Sequence, residues 1–181
     1  MKTVIQSLFI LLLLTVTSNG QIMQMMHFPE QDEFSSHTES FLLGLHNNDM
    51  LMIWYDQENY EMKVSLSTDE GNSWLSASVL PSYFVSTEIN AEFLSSGRII
   101  VAFKSNRHYL VYSDDNGQTW SDAIVLPTRT NPAERSYVAL SNLTKLSDGN
   151  AAFIYSYSGS ADPSVPHRGI YAIYSSDGEN W

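Results

Sequence analysis

The sequence predicts an all-β protein assembled from repeated four-stranded antiparallel units. Three observations carry that prediction. One turn pattern recurs three times, each copy follows short apolar runs rich in Val, Ile, Tyr and Phe, and no helical periodicity competes with those runs after residue 20.

Ser67, Asp69, Gly71 and Trp74, and again Ser113, Asp115, Gly117 and Trp120, read Ser-x-Asp-x-Gly-x-x-Trp; Ser175, Asp177, Gly178 and Trp181 repeat it with one residue fewer before the glycine. In a turn between strands, an aspartate carboxylate and a serine hydroxyl accept hydrogen bonds from backbone N–H groups that the sheet leaves unpaired. Glycine takes the positive φ that a Cβ resists. The tryptophan is expected to fold back over its hairpin, where complete burial of the ring would contribute at most about 4–6 kcal/mol. A calcium loop is the other reading of these acidic turns, but it needs alternating oxygen ligands closed by a distal glutamate, which they lack.

The flanking sequence repeats with the turns. Apolar runs cover residues 41–45, 50–55 and 62–66 in the first unit, 89–94, 98–103 and 109–112 in the second, and 137–146, 151–157 and 170–174 in the third. Turn-forming triplets separate the first two runs of each unit: Asn47-Asn48-Asp49, Ser95-Ser96-Gly97 and Ser147-Asp148-Gly149. Leu80-Pro81 and Leu126-Pro127 close the first two units after a short fourth run, and the third carries an insert over residues 159–168 and stops on Trp181 before a fourth strand. Units of this form are propeller blades, and about three are present.

These turns and the strands around them resemble the BNR, or Asp-box, repeats of the sialidase superfamily, over nearly all of residues 38–181. The resemblance implies a six-bladed β-propeller of sialidase type, with the third blade truncated and the C-terminal blades missing from this chain. It also implies a glycan or sialoside ligand, exo-α-sialidase-like glycoside hydrolysis, no cofactor, and boxes that lie on a rim away from the ligand.

Residues 1–20 read as an export signal: Lys2 gives the basic start, the 8–14 run the apolar core, and Ser18-Asn19-Gly20 the small-residue cleavage pattern. That apolar core is shorter than the ~20 residues a membrane span needs, and no later segment is a candidate. The mature chain is expected to start at Gln21, with 21–37 as a lead-in, and to be secreted, periplasmic or on the cell surface. A formal charge of −11 disfavours nucleic acid and anionic membranes as partners. With no cysteine, packing alone must hold the fold. The five histidines show no metal-ligand spacing, and neither a phosphate loop nor a nucleophile elbow is present.

Meander connectivity puts the first-to-second and third-to-fourth strand turns of each blade at one end, and the remaining connections at the other. A ligand site opposite the boxes must then draw on residues 56–60, 82–88, 105–108, 128–136 and 158–168. These hold Asp56, Glu58, Tyr83, Glu88, Arg107, His108, Arg129, Glu134, Arg135, Asp162, His167 and Arg168, with Tyr137 adjoining. Four of the five arginines fall there, and guanidinium groups grip a carboxylate in bidentate fashion. Arg107, Arg129, Arg135 and Arg168, with Glu88 and Tyr137, are therefore the expected substrate-binding residues.

The resemblance maps the family's acid/base aspartate onto Asp56 in the second-to-third loop of the first blade. It finds no counterpart of the family's first-strand Arg-Ile-Pro, since Glu39 and its neighbours occupy that place. Two functions stay open: a glycan-acting enzyme or a fragment of one, and a non-catalytic secreted propeller for glycan binding, adhesion or scaffolding. This chain alone is expected to be inactive.

Overall fold

The computed structural model describes residues 40–81, 88–105, 107–128, 141–158 and 168–181, of which Ser141, Ser158 and Arg168 are described in backbone only. They form three antiparallel sheets in chain order. The first holds β1 (Ser40–Gly44), β2 (Met50–Asp56), β3 (Glu61–Ser67) and β4 (Ser78–Val79), paired consecutively. The second holds β5 (Ile89–Phe93), β6 (Ile99–Lys104), β7 (His108–Ser113) and β8 (Ile124–Val125), and the third β9 (Ser141–Lys145), β10 (Ala151–Ser158) and β11 (Arg168–Ser175). The predicted strands are found within a residue or two at most ends. Residues 137–140 of the long run predicted before β9, and the insert over 159–167, lie outside the described residues.

Each run becomes a strand because its β-branched and aromatic side chains pack on both sheet faces. Side chains alternate across a strand, so each sheet has two faces to cover. Leu51, Ile53 and Tyr55 of β2 share one core with Ile99, Val101 and Phe103 of β6. The opposite face of β6, through Ile100 and Ala102, shares a second core with Phe153, Tyr155 and Tyr157 of β10. Strand β1 lies against β5, and β5 against β9, so the first strand of each unit is innermost. Three sheets stacked face to face with their first strands inward form an arc of a propeller.

The aspartate turns join sheets as well as strands. A Cβ on Gly117 would lie 2.9 Å from Leu51 Cδ1 in the preceding sheet, and one on Gly178 would lie 2.8 Å from Ile100 Cγ2. Both glycines have φ in the left-handed region, at 84° and 74°. Glycine therefore serves the turn and the close approach of the next blade together. Trp120 and Trp181 fold back over their own turns, as expected, and also reach the shared cores: Trp120 packs half-buried against the first and Trp181 against the second, so each ring also wedges a seam between sheets. Their indole N–H groups donate to the carbonyls of Gly117 and Gly178 at 3.1 and 3.2 Å.

In the third sheet, β11 pairs only with β10 among the described residues. Its outward row leaves Ile170 81% and Tyr174 62% exposed. An apolar strand with an open edge recruits partners. The chain from Gln21 to Trp181 is therefore expected to self-associate in light scattering, and Ile170→Lys to reduce the associated mass; a monodisperse monomer of the unaltered chain would contradict this.

Candidate functional site

The two ends of the arc are chemically distinct. At the turn end, Ser67 donates to Asp69 Oδ1 at 2.9 Å, while the same carboxylate accepts from Ser73 N at 2.7 Å and Ser73 Oγ at 2.6 Å. Asp115 repeats this with Ser113 and Thr119, and Asp177 with Ser175 and Asn180. These bonds hold the Asp177 carboxyl well below the usual range, the Asn180 backbone N–H contributing most. The carboxylates are consumed in building turns. Among the described residues, no group of acids and histidines is placed to hold a metal ion.

Arg98, the arginine that falls outside the predicted site, ties this end together. Its Nε and Nη2 donate to the two oxygens of Asp114 at 2.7 and 2.8 Å, its Nη1 donates to the carbonyl of Asp177 at 2.8 Å, and its guanidinium lies 4.0 Å over the Tyr112 ring. One side chain thus bridges the second and third sheets. Arg98→Ala is expected to lower stability by about 1–3 kcal/mol in urea denaturation. Lysine, a point charge without the planar fork, should restore only part of it.

The opposite end holds the described part of the predicted site loops, residues 56–60, 88, 105, 107 and 128. Asp56 ends β2 and is buried. Its Oδ1 accepts from the backbone N–H of Glu58 and Asn59 at 3.0 and 3.2 Å, and its Oδ2 accepts from Asn59 Nδ2 and Lys63 Nζ, both at 2.8 Å. Burial pushes this carboxyl up, but the bonds from Asn59 and Lys63 outweigh burial and bring it down to about 2. A proton donor at neutral pH needs the reverse shift. Asp56 in this arrangement anchors the β2–β3 turn, with both oxygens taken up by that turn and Lys63.

In the second sheet, Glu88 accepts from Lys104 Nζ at 3.1 Å. Arg107 is exposed in the β6–β7 turn and makes no ion pair with a described residue. His108 was expected in a loop; it is instead the first residue of β7 and only 2% exposed. Its Nδ1 is 3.3 Å from Thr128 Oγ1, its Nε2 is buried without a partner, and its ring meets Phe153 edge-on with centroids 5.0 Å apart. Burial, helped by Lys104 and opposed by Glu88, lowers its pKa to about 4.

Arg168, expected in the insert, begins β11 opposite Ser158. Arg129, Arg135 and Tyr137 lie outside the described residues, as do Tyr83, Glu134, Asp162 and His167. The structure thus groups Glu88, Lys104 and His108 at one seam and Asp56 with Lys63 on the first sheet. The lysines were not singled out in the sequence. Their register opposite Trp54 and His108 is the signal that could have found them.

No protein-family model matches the chain, and no curated protein matches it in sequence. Solved structures do. An α-L-arabinanase of Penicillium chrysogenum, complexed with arabinobiose, is 19% identical with a TM-score of 0.60, the match covering 83% of this chain and 49% of that one. A Hadza microbial sialidase is 20% identical with a TM-score of 0.53, over 80% of this chain and 36% of that one. A GH93 α-L-arabinofuranosidase of Fusarium graminearum, also with arabinobiose, is 15% identical with a TM-score of 0.51, over 79% and 47%. The all-β fold is that of part of a propeller glycosidase. The chain spans between about a third and a half of the length of these proteins.

Proposed function

We propose that this chain is the glycan-binding arc of an exported propeller whose whole form is a glycoside hydrolase of the sialidase or arabinanase kind. The observation that carries this reading is the likeness in fold to propellers that act on or bind sugars. The end of the arc away from the aspartate turns supports it by presenting Glu58, Glu88 and Arg107. These supply acceptors and a donor for sugar hydroxyls. Arg129, Arg135, Arg168 and Tyr137 belong to the same proposed surface.

A non-catalytic binding propeller is the second reading. What favours it is the state of Asp56, lowered to about 2 and engaged by four donors. Titration of the chain with a panel of oligosaccharides, alongside fluorogenic sialoside and arabinofuranoside assays, tests both. The expected result is binding without turnover. Turnover abolished by Asp56→Asn would make the chain itself an enzyme, and absence of binding to every sugar would overturn the proposal.

A further inference from the structure

Tyr60 closes the β2–β3 turn in a backbone conformation that tyrosine resists, with φ at 57°. The other non-glycine residues with positive φ have local explanations. Asn47 and Asn48 turn the chain between β1 and β2, and Glu70 and Asn116 hold equivalent places in the first two aspartate turns. Tyr60 has no such equivalent among the described residues. A bulky residue in the left-handed region is strained, and such strain persists where the surroundings enforce it.

Those surroundings are rigid. Asp56 fixes the turn through two backbone N–H groups, the Asn59 amide and Lys63, as described above. The fixed turn holds the Tyr60 ring out in solvent, 68% exposed, beside the exposed side chains of Glu58 and Asn59. Its phenol is near enough to Tyr55, whose hydroxyl is buried without a partner, to help raise that group's pKa after burial itself. The ring makes no aromatic contact with another described residue. A flat apolar surface rimmed by amide and carboxylate groups matches a sugar ring, which has a C–H face and a hydroxyl edge.

Charge selects among sugars. The turn and its flanks carry Asp56, Glu58 and Glu61 against Lys63 alone, and Lys63 is committed to Asp56. An anionic sugar would meet an excess of like charge there. We propose that Tyr60 is a stacking platform for an uncharged sugar ring, the exposed phenol taking its C–H face and Asn59 and Glu58 its hydroxyls. This rests on the glycan-binding reading and narrows it to neutral glycans at the first sheet.

The test is a titration of the full chain with arabinobiose, lactose and cellobiose, and with sialyllactose as the anionic probe, read by tyrosine fluorescence and saturation-transfer NMR. At least one uncharged sugar is expected to bind more tightly than sialyllactose. Tyr60→Gly should weaken that binding about tenfold or more, while the melting temperature holds or rises as the strain is relieved. Tyr60→Trp should retain binding. Equal affinity in Tyr60→Gly, or preference for sialyllactose, would overturn the platform and leave the glycan-binding reading standing. Failure of the unaltered chain to bind any of these sugars would overturn both.

Discussion

Phe153→Ala is expected to lower stability by about 3–5 kcal/mol, the range for an aromatic deleted from a packed interior. Phe153 is fully buried on the face of β10 that meets the second sheet, edge-on to His108 and stacked on Tyr155 at 6.1 Å between centroids. Tyr155 in turn stacks on Tyr171 of β11 at 5.6 Å. The truncation removes a ring from a file running across the seam. For a domain of this size the loss corresponds to a fall of about 10 °C in melting temperature. Calorimetry of the variant measures it. A loss below ~1 kcal/mol would mean that the second and third sheets are held together by something other than this core.

Stability should also fall as pH drops from 6.5 to 4. His108 is lowered in the folded protein from 6.5 to about 4, so the unfolded chain takes up a proton over that window while the folded chain does not. The contribution is fully present above 6.5 and is lost as the solution acidifies; at 1.36 kcal/mol per unit it amounts to about 3 kcal/mol. Carboxylates add little above pH 4.5, because Asp56, lowered to about 2, and Asp69, Asp114, Asp115 and Asp177, also lowered, give stability that is present above the ordinary carboxylate value and lost as pH falls from it toward the folded value. Denaturant midpoints collected between pH 7.5 and 4.5 should fall for the unaltered chain and stay nearly flat for His108→Phe. An equal slope in both would remove His108 as the cause.

The strands were legible in the sequence because apolar runs bounded by Asn, Asp, Ser and Gly leave little choice of structure. The aspartate turns were legible because Ser-x-Asp-x-Gly specifies its own hydrogen bonds. What a single repeat does not encode is how it meets its neighbour. Arg98 looked like an ordinary residue after a hairpin, yet it holds the carboxylate of Asp114 and the backbone carbonyl of Asp177, 16 and 79 positions away. Trp120 and Trp181 cover their own hairpins, as the sequence suggests, and are wedges between sheets as well, which it does not. The fourth strands shrink to two residues each, since only Lys63 and Val64, and Tyr109 and Leu110, find partners there.

The candidate site was legible in location and not in state. Meander topology placed Asp56, Glu88 and Arg107 at one end, and the first two sheets put them there. That Asp56 would be saturated depended on Asn59 and Lys63, whose side chains reach it only once the turn has formed. Tyr60 gave no sign in composition or pattern, because a φ of 57° is a property of the folded turn.

Glycan is expected to bind the arc at the end opposite its aspartate turns. Backbone amide shifts of the isotope-labelled chain during titration with arabinobiose test it most directly. Perturbations are expected to be confined to residues 57–60, 88 and 105–108, with residues 69–73, 115–119 and 177–180 unmoved. Perturbations centred on the aspartate turns, with the opposite end silent, would contradict it.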